Sequence, residues 1–194
     1  MAPKLVLAST SPYRRALLAR LRLPFEVVAP GVDESPRPGE APRALVERLA
    51  RAKAQAVAGR FNDALVIGSD QVAVANGLPV SKPGTHERAS AQLRSMRGQT
   101  IDFLTAVAVH ATATGITHSR VVPFAVTFRD YTDAEIEAYL LAERPYDCAG
   151  AAKAEGLGIA LIRRMDGDDP NALIGLPLIA LVDLLALHGL QILK

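Results

Sequence analysis

The chain has 194 residues, of which 49% are hydrophobic and 22% charged, a composition typical of a globular protein with a sizeable core. Its 22 basic and 20 acidic residues leave a net charge of +2, which gives no reason to expect nucleic acid as a partner. The only cysteine is Cys148, which excludes an intramolecular disulfide, and the four histidines lack the HxxxH spacing of a metal site.

Neither a secretory signal nor a membrane span is predicted. The stretch "MAPKLVLAST" lacks the long apolar run and small-residue cleavage site of a signal peptide. The most apolar segment, "NALIGLPLIALVDLLALHGL", is interrupted by Gly175, Pro177 and Asp183, whereas a membrane span requires about 20 uninterrupted apolar residues. We therefore expect a cytoplasmic protein without a membrane partner.

Strands and helices alternate in the first half of the predicted structure. A strand at "KLVLA" is followed by a helix at "SPYRRALLARL", with Ser11 as N-cap and Pro12 at its first position. A second strand at "FEVVAP" leads through the acidic, proline-rich loop "PGVDESPRPGEAP" to a long amphipathic helix at "APRALVERLARAKAQAVAGR". This order is typical of α/β folds.

The second half begins with a strand and hairpin at "ALVIGSDQVAVANGLPV", in which "NG" indicates the turn. A helix at "THERASAQLRSM" capped by Thr85, two long strands and a helix with a capping box of Thr132 and Glu135 follow. The glycine-rich "AGAAKAEGLGIALI", the turn "MDGDDPN" and a helix from about Pro177 complete the chain. We predict one α/β domain over residues 1–194, with long antiparallel strands in a mixed sheet.

Three kinds of residue suit a phosphate ligand. The hydroxyls and free N–H groups where the first strand meets the first helix favour an anion, and Arg14 and Arg15 add charge. Asp70 lies in an apolar strand, where a carboxylate is costly unless it is paired, metal-bound or exposed in a cleft. Lys53 in the long helix and Lys82 in the turn "SKPG" are within reach of a phosphate. The alternatives are ordinary helix capping, a structural aspartate and surface lysines.

Two loops complete the set of candidates. Asp33 and Glu34 follow the second strand, in a different part of the chain from Asp70. Carboxylates from separate loops suit Mg²⁺ held against a polyphosphate. Lys153 and Glu155 lie in the glycine-rich segment, which we expect to be flexible and open to close approach by a ligand.

Together, the motifs "LASTSPYRRALL", "VDES", "RLARAKA", "VIGSDQV", "SKPG", "CAGAAKAEGLG" and "DPNALIGLPL" resemble, in this order, the Maf family of nucleoside triphosphate pyrophosphatases. The resemblance covers nearly the whole chain. It implies a Maf/ITPase-like α/β fold, with a mixed twisted sheet, flanking helices and two lobes around a deep cleft. It also implies a homodimer.

The activity that the resemblance implies is hydrolysis of a nucleoside triphosphate between its α and β phosphates, with Mg²⁺ or Mn²⁺ as cofactor. Asp70 matches the general base and, with Glu34, the metal site. The positions that match the phosphate-binding edge and the lining of the cleft are Ser9, Arg14, Arg15, Lys53 and Lys82.

Tyr13, Gln71 and Glu155 resemble the branch of the family that hydrolyses 7-methyl-GTP. A carboxylate can accept both donors of the guanine edge, and an aromatic ring can stack on the positively charged methylated base. These observations favour Glu155 and Tyr13 as base-recognition residues. The alternatives are a dTTP/UTP pyrophosphatase and a regulatory nucleotide-binding protein that affects septum formation.

Overall fold

The computed structural model describes residues 3–193, so that Met1, Ala2 and Lys194 of the predicted domain lie outside the described residues. The chain divides into two compact units. Unit 1 comprises the chain up to Gln71, Thr105–Val122 and the chain from Asp169 onward, and unit 2 comprises Val72–Leu104 and Pro123–Asp168. The single domain and the deep cleft stay predictions.

The described strands form a seven-stranded mixed sheet, as predicted. Its strands are β1 (Lys4–Ala8), β2 (Glu26–Val28), β3 (Ala64–Ala75), β4 (Leu78–Val80), β5 (Thr100–Ala111), β6 (Thr117–Phe128) and β7 (Ile162–Asp166). The order is β2-β1-β3-β5-β6-β7, and β4 pairs with β3. β1 runs parallel to β2 and β3, whereas β4 is antiparallel to β3 and β7 is antiparallel to β6.

Six α-helices lie within the described residues. They are α1 (Pro12–Ala19), α2 (Pro42–Ala58), α3 (His86–Met96), α4 (Asp133–Glu143), α5 (Pro170–Ile174) and α6 (Leu178–Leu187). Short 3₁₀ helices occur at Ala149–Ala151 and Leu157–Leu161. The predicted caps are confirmed: Ser11, Thr85 and Thr132 each accept a hydrogen bond from a backbone N–H in the first turn.

The core of unit 1 follows the two-residue period of its strands. Leu5 and Leu7 of β1 pack in one cluster with residues of α1 and α6, whereas Val6 and Ala8 pack in another with residues of α2. Successive side chains of a strand point to opposite faces, which explains why this sheet is covered by helices on two sides. The flanking helices are therefore confirmed.

Two elements near the end of the chain were not predicted. The segment "MDGDDPN" is not only a turn, because β7 extends to Asp166 and α5 begins at Pro170. The apolar stretch that follows forms two helices, separated at Gly175, which has a φ of 118°. A left-handed residue of this kind ends a helix, and glycine adopts the conformation without steric cost. Of the helices in residues 3–193, none is long and apolar enough to cross a membrane.

Candidate active site

A buried lysine brings two carboxylates together in unit 1. Lys53 Nζ lies 2.7 Å from Asp70 Oδ1 and 2.7 Å from Glu34 Oε1. Only 5% of the Lys53 side chain is exposed, and 11% of that of Asp70. A buried charge requires a partner of opposite sign, which the two carboxylates supply. The alternative of a surface lysine is therefore wrong for Lys53.

Close packing of α2 on β3 places Lys53 beside Asp70. At Gly68, two residues before Asp70, a Cβ would lie 2.1 Å from the carbonyl oxygen of Ala50 and 2.6 Å from the amide nitrogen of Ala54. Real Cβ atoms do not approach a backbone this closely. Glycine at this position thus allows the helix that carries Lys53 to lie against the strand that carries Asp70.

Hydrogen bonds to the amide and to the carbonyl oxygen of Ser35 fix the loop that carries Glu34. Asp33 Oδ1 accepts a hydrogen bond from the Ser35 amide at 2.9 Å, and this bond lowers the pKa of Asp33. Arg48 on α2 donates to the Ser35 carbonyl oxygen at 3.1 Å. The loop is therefore attached to the same helix that carries Lys53.

Arg14 of the first helix lies within the electrostatic range of this pair of carboxylates. Burial lowers its pKa, and the charges of Asp70 and Glu34 oppose that effect. Its Nε donates to the Gly175 carbonyl oxygen at 2.9 Å. Arg14 is half-buried, and a guanidinium partly withdrawn from water interacts more strongly with an anion than a fully solvated one does.

The other predicted residues of this stretch differ in exposure. Ser9 is buried, and its Oγ accepts a hydrogen bond from the Ser11 amide at 3.1 Å. Tyr13 is half-buried and Arg15 is exposed. Their roles in binding phosphate and base stay predictions.

The carbonyl oxygens of α5 and the turn after it bind the side chains on either side of Asp70. Gln71 Nε2 lies 2.8 Å from the Ala172 carbonyl oxygen and 2.9 Å from that of Leu173. Ser69 Oγ lies 2.9 Å from the Gly175 carbonyl oxygen. The amide nitrogen of Gln71 is therefore directed at protein acceptors, and its predicted role in specificity stays a prediction.

Asp169 is a site residue that the sequence analysis missed. Its buried carboxylate caps α5 through the Asn171 amide at 2.9 Å and accepts from the Ile179 amide at 2.7 Å. It thus fixes the starts of both α5 and α6. The Asp-Pro pair, with a capping residue before a proline at the first helical position, was the signal available in the sequence.

Lys82 and Glu155 belong to unit 2, whereas the other predicted site residues belong to unit 1. Lys82 is exposed, and hydrogen bonds on both sides of it join its turn to other parts of unit 2. Gln92 Nε2 donates to the Ser81 carbonyl oxygen at 2.9 Å, and the Gly84 amide donates to the Tyr146 carbonyl oxygen at 3.0 Å. The backbone of "SKPG" is thus attached to α3 and to the chain after α4.

The glycines around Glu155 allow the chain to pack against itself. A Cβ on Gly156 would lie 2.7 Å from Glu143 Oε2, and one on Gly158 would lie 2.6 Å from the Lys153 carbonyl oxygen. The expectation of an open segment for ligand approach is corrected here, because side chain and backbone of this unit fill that space. Glu143 was missed, since nothing in its local pattern distinguishes it from other helix-end acids.

The donor set suits a metal bound by two carboxylates. Within residues 3–193, no group of three or more His, Cys, Asp or Glu could hold a metal ion. The oxygens of Glu34 and Asp70 are nevertheless close together, because each lies 2.7 Å from the same ammonium nitrogen. Mg²⁺ is commonly bound through one or two carboxylates together with substrate phosphates. Two carboxylates together with substrate phosphates would be such a ligand set, and the divalent cation stays a prediction.

Comparisons with known proteins give consistent results. The family model described as Maf-like protein matches residues 4–188. A 7-methyl-GTP pyrophosphatase of Polaromonas sp. strain JS666 is 63% identical over 97% of this chain and 86% of its own length. One of Methylobacillus flagellatus is 56% identical over 98% of this chain and 99% of its own length.

Among solved structures, the Staphylococcus aureus Ham1 protein is similar over 66% of this chain and 72% of its own, with 16% identity and a TM-score of 0.46. A likeness of this size carries no conclusion. The sequence matches, in contrast, extend over nearly the whole chain. They establish that the chain belongs to the Maf family.

Proposed function

We propose that this chain is a nucleotide pyrophosphatase that hydrolyses 7-methyl-GTP to 7-methyl-GMP and diphosphate. The observation that carries the activity is the buried Lys53 between Asp70 and Glu34, with the half-buried Arg14 in the field of both carboxylates. The substrate is supported by the relatives named 7-methyl-GTP pyrophosphatase at 56–63% identity.

The cations and the carboxylates of the site have different roles in this reaction. Water attacks the α phosphorus, the bond to the oxygen bridging the α and β phosphates breaks, and the leaving diphosphate takes up the electron pair. Asp70 orients the water and accepts its proton. Arg14, Arg15 and Lys53 stabilise the negative charge that grows on the diphosphate, an effect that is largest in a site of low dielectric.

Lys53 has a second task, which is to hold the carboxylates. Two carboxylates on one site repel each other, and the ammonium between Asp70 and Glu34 offsets that repulsion. Glu34 and Asp70 would also hold the divalent cation, Mg²⁺ or Mn²⁺. When bound, such a cation neutralises phosphate charge and fixes the orientation of the triphosphate.

Base recognition is the part of the proposal that depends on the resemblance. Glu155 would accept the N1–H and 2-amino donors of guanine, and Tyr13 would stack on the methylated ring. Gln71 and Lys82 would contribute to specificity and phosphate binding. A cytoplasmic homodimer belongs to the same proposal.

The first test is a substrate panel. Release of pyrophosphate by the purified protein would be measured with Mg²⁺ or Mn²⁺ on 7-methyl-GTP, GTP, dTTP and UTP. We expect the highest kcat/KM on 7-methyl-GTP. Higher kcat/KM on dTTP or UTP would establish the pyrimidine alternative, and no hydrolysis of any nucleotide would favour the regulatory alternative.

Asp70→Asn tests the chemistry. Removal of a general base typically costs about 100-fold to 10,000-fold in rate, so we expect at least about a 100-fold loss of kcat. The fold should persist, because asparagine keeps the size of the side chain. Asp102→Asn, which changes an exposed aspartate of β5, is the matched control and should leave kcat unchanged. Activity of Asp70→Asn close to that of the control would contradict the assigned role.

A further inference from the structure

Glu143, the last residue of α4, binds both ends of the segment that carries Glu155. Its Oε1 lies 2.6 Å from Lys153 Nζ, and its Oε2 accepts a hydrogen bond from the Leu157 amide at 2.8 Å. Glu155 lies midway between these two attachment points in the sequence. Only 16% of the Glu143 side chain is exposed, so solvent screens these bonds less than it screens a surface ion pair.

A second residue of the same helix binds the chain just before this segment. Tyr139 is buried, and its hydroxyl donates to the Ala151 carbonyl oxygen at 3.1 Å and accepts from the Lys153 amide at 3.0 Å. Tyr139 and Glu143 lie one helical turn apart, on the same face of α4. The helix therefore holds the backbone before and after Glu155.

Gly156 shows how closely the segment lies on the Glu143 carboxylate. A Cβ at this position would lie 2.7 Å from Oε2 and 2.8 Å from Oε1 of Glu143. The backbone φ of Gly156 is −122°, which other residues also adopt. All three nearest atoms belong to the Glu143 carboxylate, so a methyl group at this position would displace that side chain.

The charges of the segment differ in their partners. The Lys153 ammonium, and then the Leu157 amide, lower the pKa of Glu143, so Glu143 stays ionised and paired at neutral pH. Glu155, in contrast, is exposed and forms no ion pair with any residue in the described range 3–193. A carboxylate that accepts hydrogen bonds from two donors of a purine edge has to be accessible and must not be paired with a cation of the protein.

We infer that Glu143 is a positioning residue for base recognition: it binds Lys153 and Leu157 and thereby presents the Glu155 carboxylate to the guanine edge. The inference rests on the proposed function, because it takes the role of Glu155 from it. It assigns to Glu143 an effect on the choice of base and none on the chemistry at the α phosphate.

The test compares kcat and KM on 7-methyl-GTP and UTP, since UTP lacks the guanine donors. Loss of a hydrogen bond to a charged group typically costs about 10-fold to 100-fold in binding, which we expect as the loss of discrimination for Glu155→Ala. Glu143→Ala should lower the ratio of kcat/KM for 7-methyl-GTP to that for UTP by about 5-fold to 20-fold. The loss should appear in KM, because a base contact contributes ground-state binding as much as transition-state binding.

The double variant Glu143→Ala with Glu155→Ala separates positioning from a general structural effect. If Glu143 acts through Glu155, the double variant should discriminate no worse than Glu155→Ala alone. Glu143→Gln, which keeps an acceptor for the Leu157 amide, should recover part of the ratio. Asp133→Asn, which removes the ion pairs with Arg94 and Arg97 at the other end of α4, is the control and should leave the ratio unchanged.

Gly156→Ala provides a second route if Glu143→Ala does not fold. The added methyl displaces the Glu143 carboxylate and should lower the ratio about as much as Glu143→Gln does. In the Glu143→Ala background the same methyl meets no carboxylate and should have no further effect.

Two results would overturn the inference. If Glu155→Ala changes the ratio and Glu143→Ala, Glu143→Gln and Gly156→Ala leave it unchanged, Glu143 does not position Glu155, and the proposed function is unaffected. If Glu155→Ala itself leaves the ratio unchanged, the role of Glu155 in the proposed function fails and the inference fails with it.

Discussion

Two short segments of the molecule are each held by one carboxylate, but in different ways. The α5 segment, Asp169–Gly175, begins with its own carboxylate, and Asp169 binds amides two and ten residues further along the chain. The Glu155 segment, Lys153–Leu157, is bound by Glu143 of the preceding helix, and an ion pair with Lys153 supplies half of that attachment.

The difference extends to what each segment holds. Carbonyl oxygens of the α5 segment accept hydrogen bonds from Arg14, Ser69 and Gln71. Ser69 and Gln71 are the sequence neighbours of Asp70, and Arg14 lies in the field of Asp70. The Glu155 segment leaves its central carboxylate exposed. Damage to the α5 segment should therefore lower activity on every nucleotide, whereas damage to the Glu155 segment should change the choice of base.

The largest expected effect follows from removal of Asp169. Asp169→Ala removes the acceptor of the part-buried hydrogen bonds from the Asn171 and Ile179 amides, which should cost about 2–4 kcal/mol in the free energy of unfolding. For a chain of this size, that corresponds to a fall in Tm of roughly 5–15 °C, measured by circular dichroism. Activity on 7-methyl-GTP and UTP should fall together.

Asp168→Ala is the matched control, because Asp168 is the exposed neighbour of the buried Asp169. We expect its Tm to be that of the unchanged protein. A Tm for Asp169→Ala equal to that of Asp168→Ala would show that the α5 segment does not depend on its own carboxylate.

A smaller loss is expected for Gln71→Leu. The part-buried hydrogen bond to the Leu173 carbonyl oxygen is lost, and the loss of such a bond costs about 0.5–1.5 kcal/mol in stability. Urea unfolding would measure the change, with Gln99→Leu, at an exposed position, as control. If stability were unchanged and the preference among bases changed instead, Gln71 would recognise the base and would not serve to hold α5.

The smallest effect concerns acid stability. The pKa of Glu143 in the folded protein is lowered from its ordinary value of 4.5. At acidic pH the folded state therefore binds fewer protons at this carboxyl group than the unfolded state does. Its stabilising contribution, about 0.5–1 kcal/mol, is present above pH 4.5 and is lost as the pH falls through the lower folded value. Urea unfolding of the unchanged protein and Glu143→Gln should therefore differ at pH 7 and converge in acid.

The contribution of Gln71 involves no charge, so the difference between Gln71→Leu and the unchanged protein should stay constant over the same pH range. A constant difference for Glu143→Gln as well would show that the ion pair with Lys153 does not stabilise the Glu155 segment. The attachment by Glu143 would then depend on hydrogen bonds to backbone amides alone, as the attachment by Asp169 does.

Much of the fold was predictable because its signals are local. The cap at Ser11, the capping box at Thr132 and the hairpin turn each depend on residues within a few positions of one another. In that turn, Asn76 and Gly77 both have positive φ, as the "NG" signal requires. β7 was missed because three of its five residues are charged, so that it lacks the apolar run that marks β1. α5 was missed because five residues are too few to show the helical period.

The candidate site was predictable in its members and not in its contacts. The resemblance identified Asp70, Lys53 and Glu34, and their residue types indicated phosphate and metal chemistry. That one ammonium lies 2.7 Å from both carboxylates depends on the approach of α2 to β3 at Gly68, which no local pattern reports.

The sequence by itself determined the family, the order of nearly all helices and strands, and the residue types of the site. These depend on periodicity, caps and short motifs, whose interactions span only a few residues. Only the tertiary structure decided that Lys53 is buried between two acids, that Asp169 joins α5 to α6, and that Glu143 holds the Glu155 segment. Such contacts join residues 10 or more positions apart, and their distances depend on how whole elements pack.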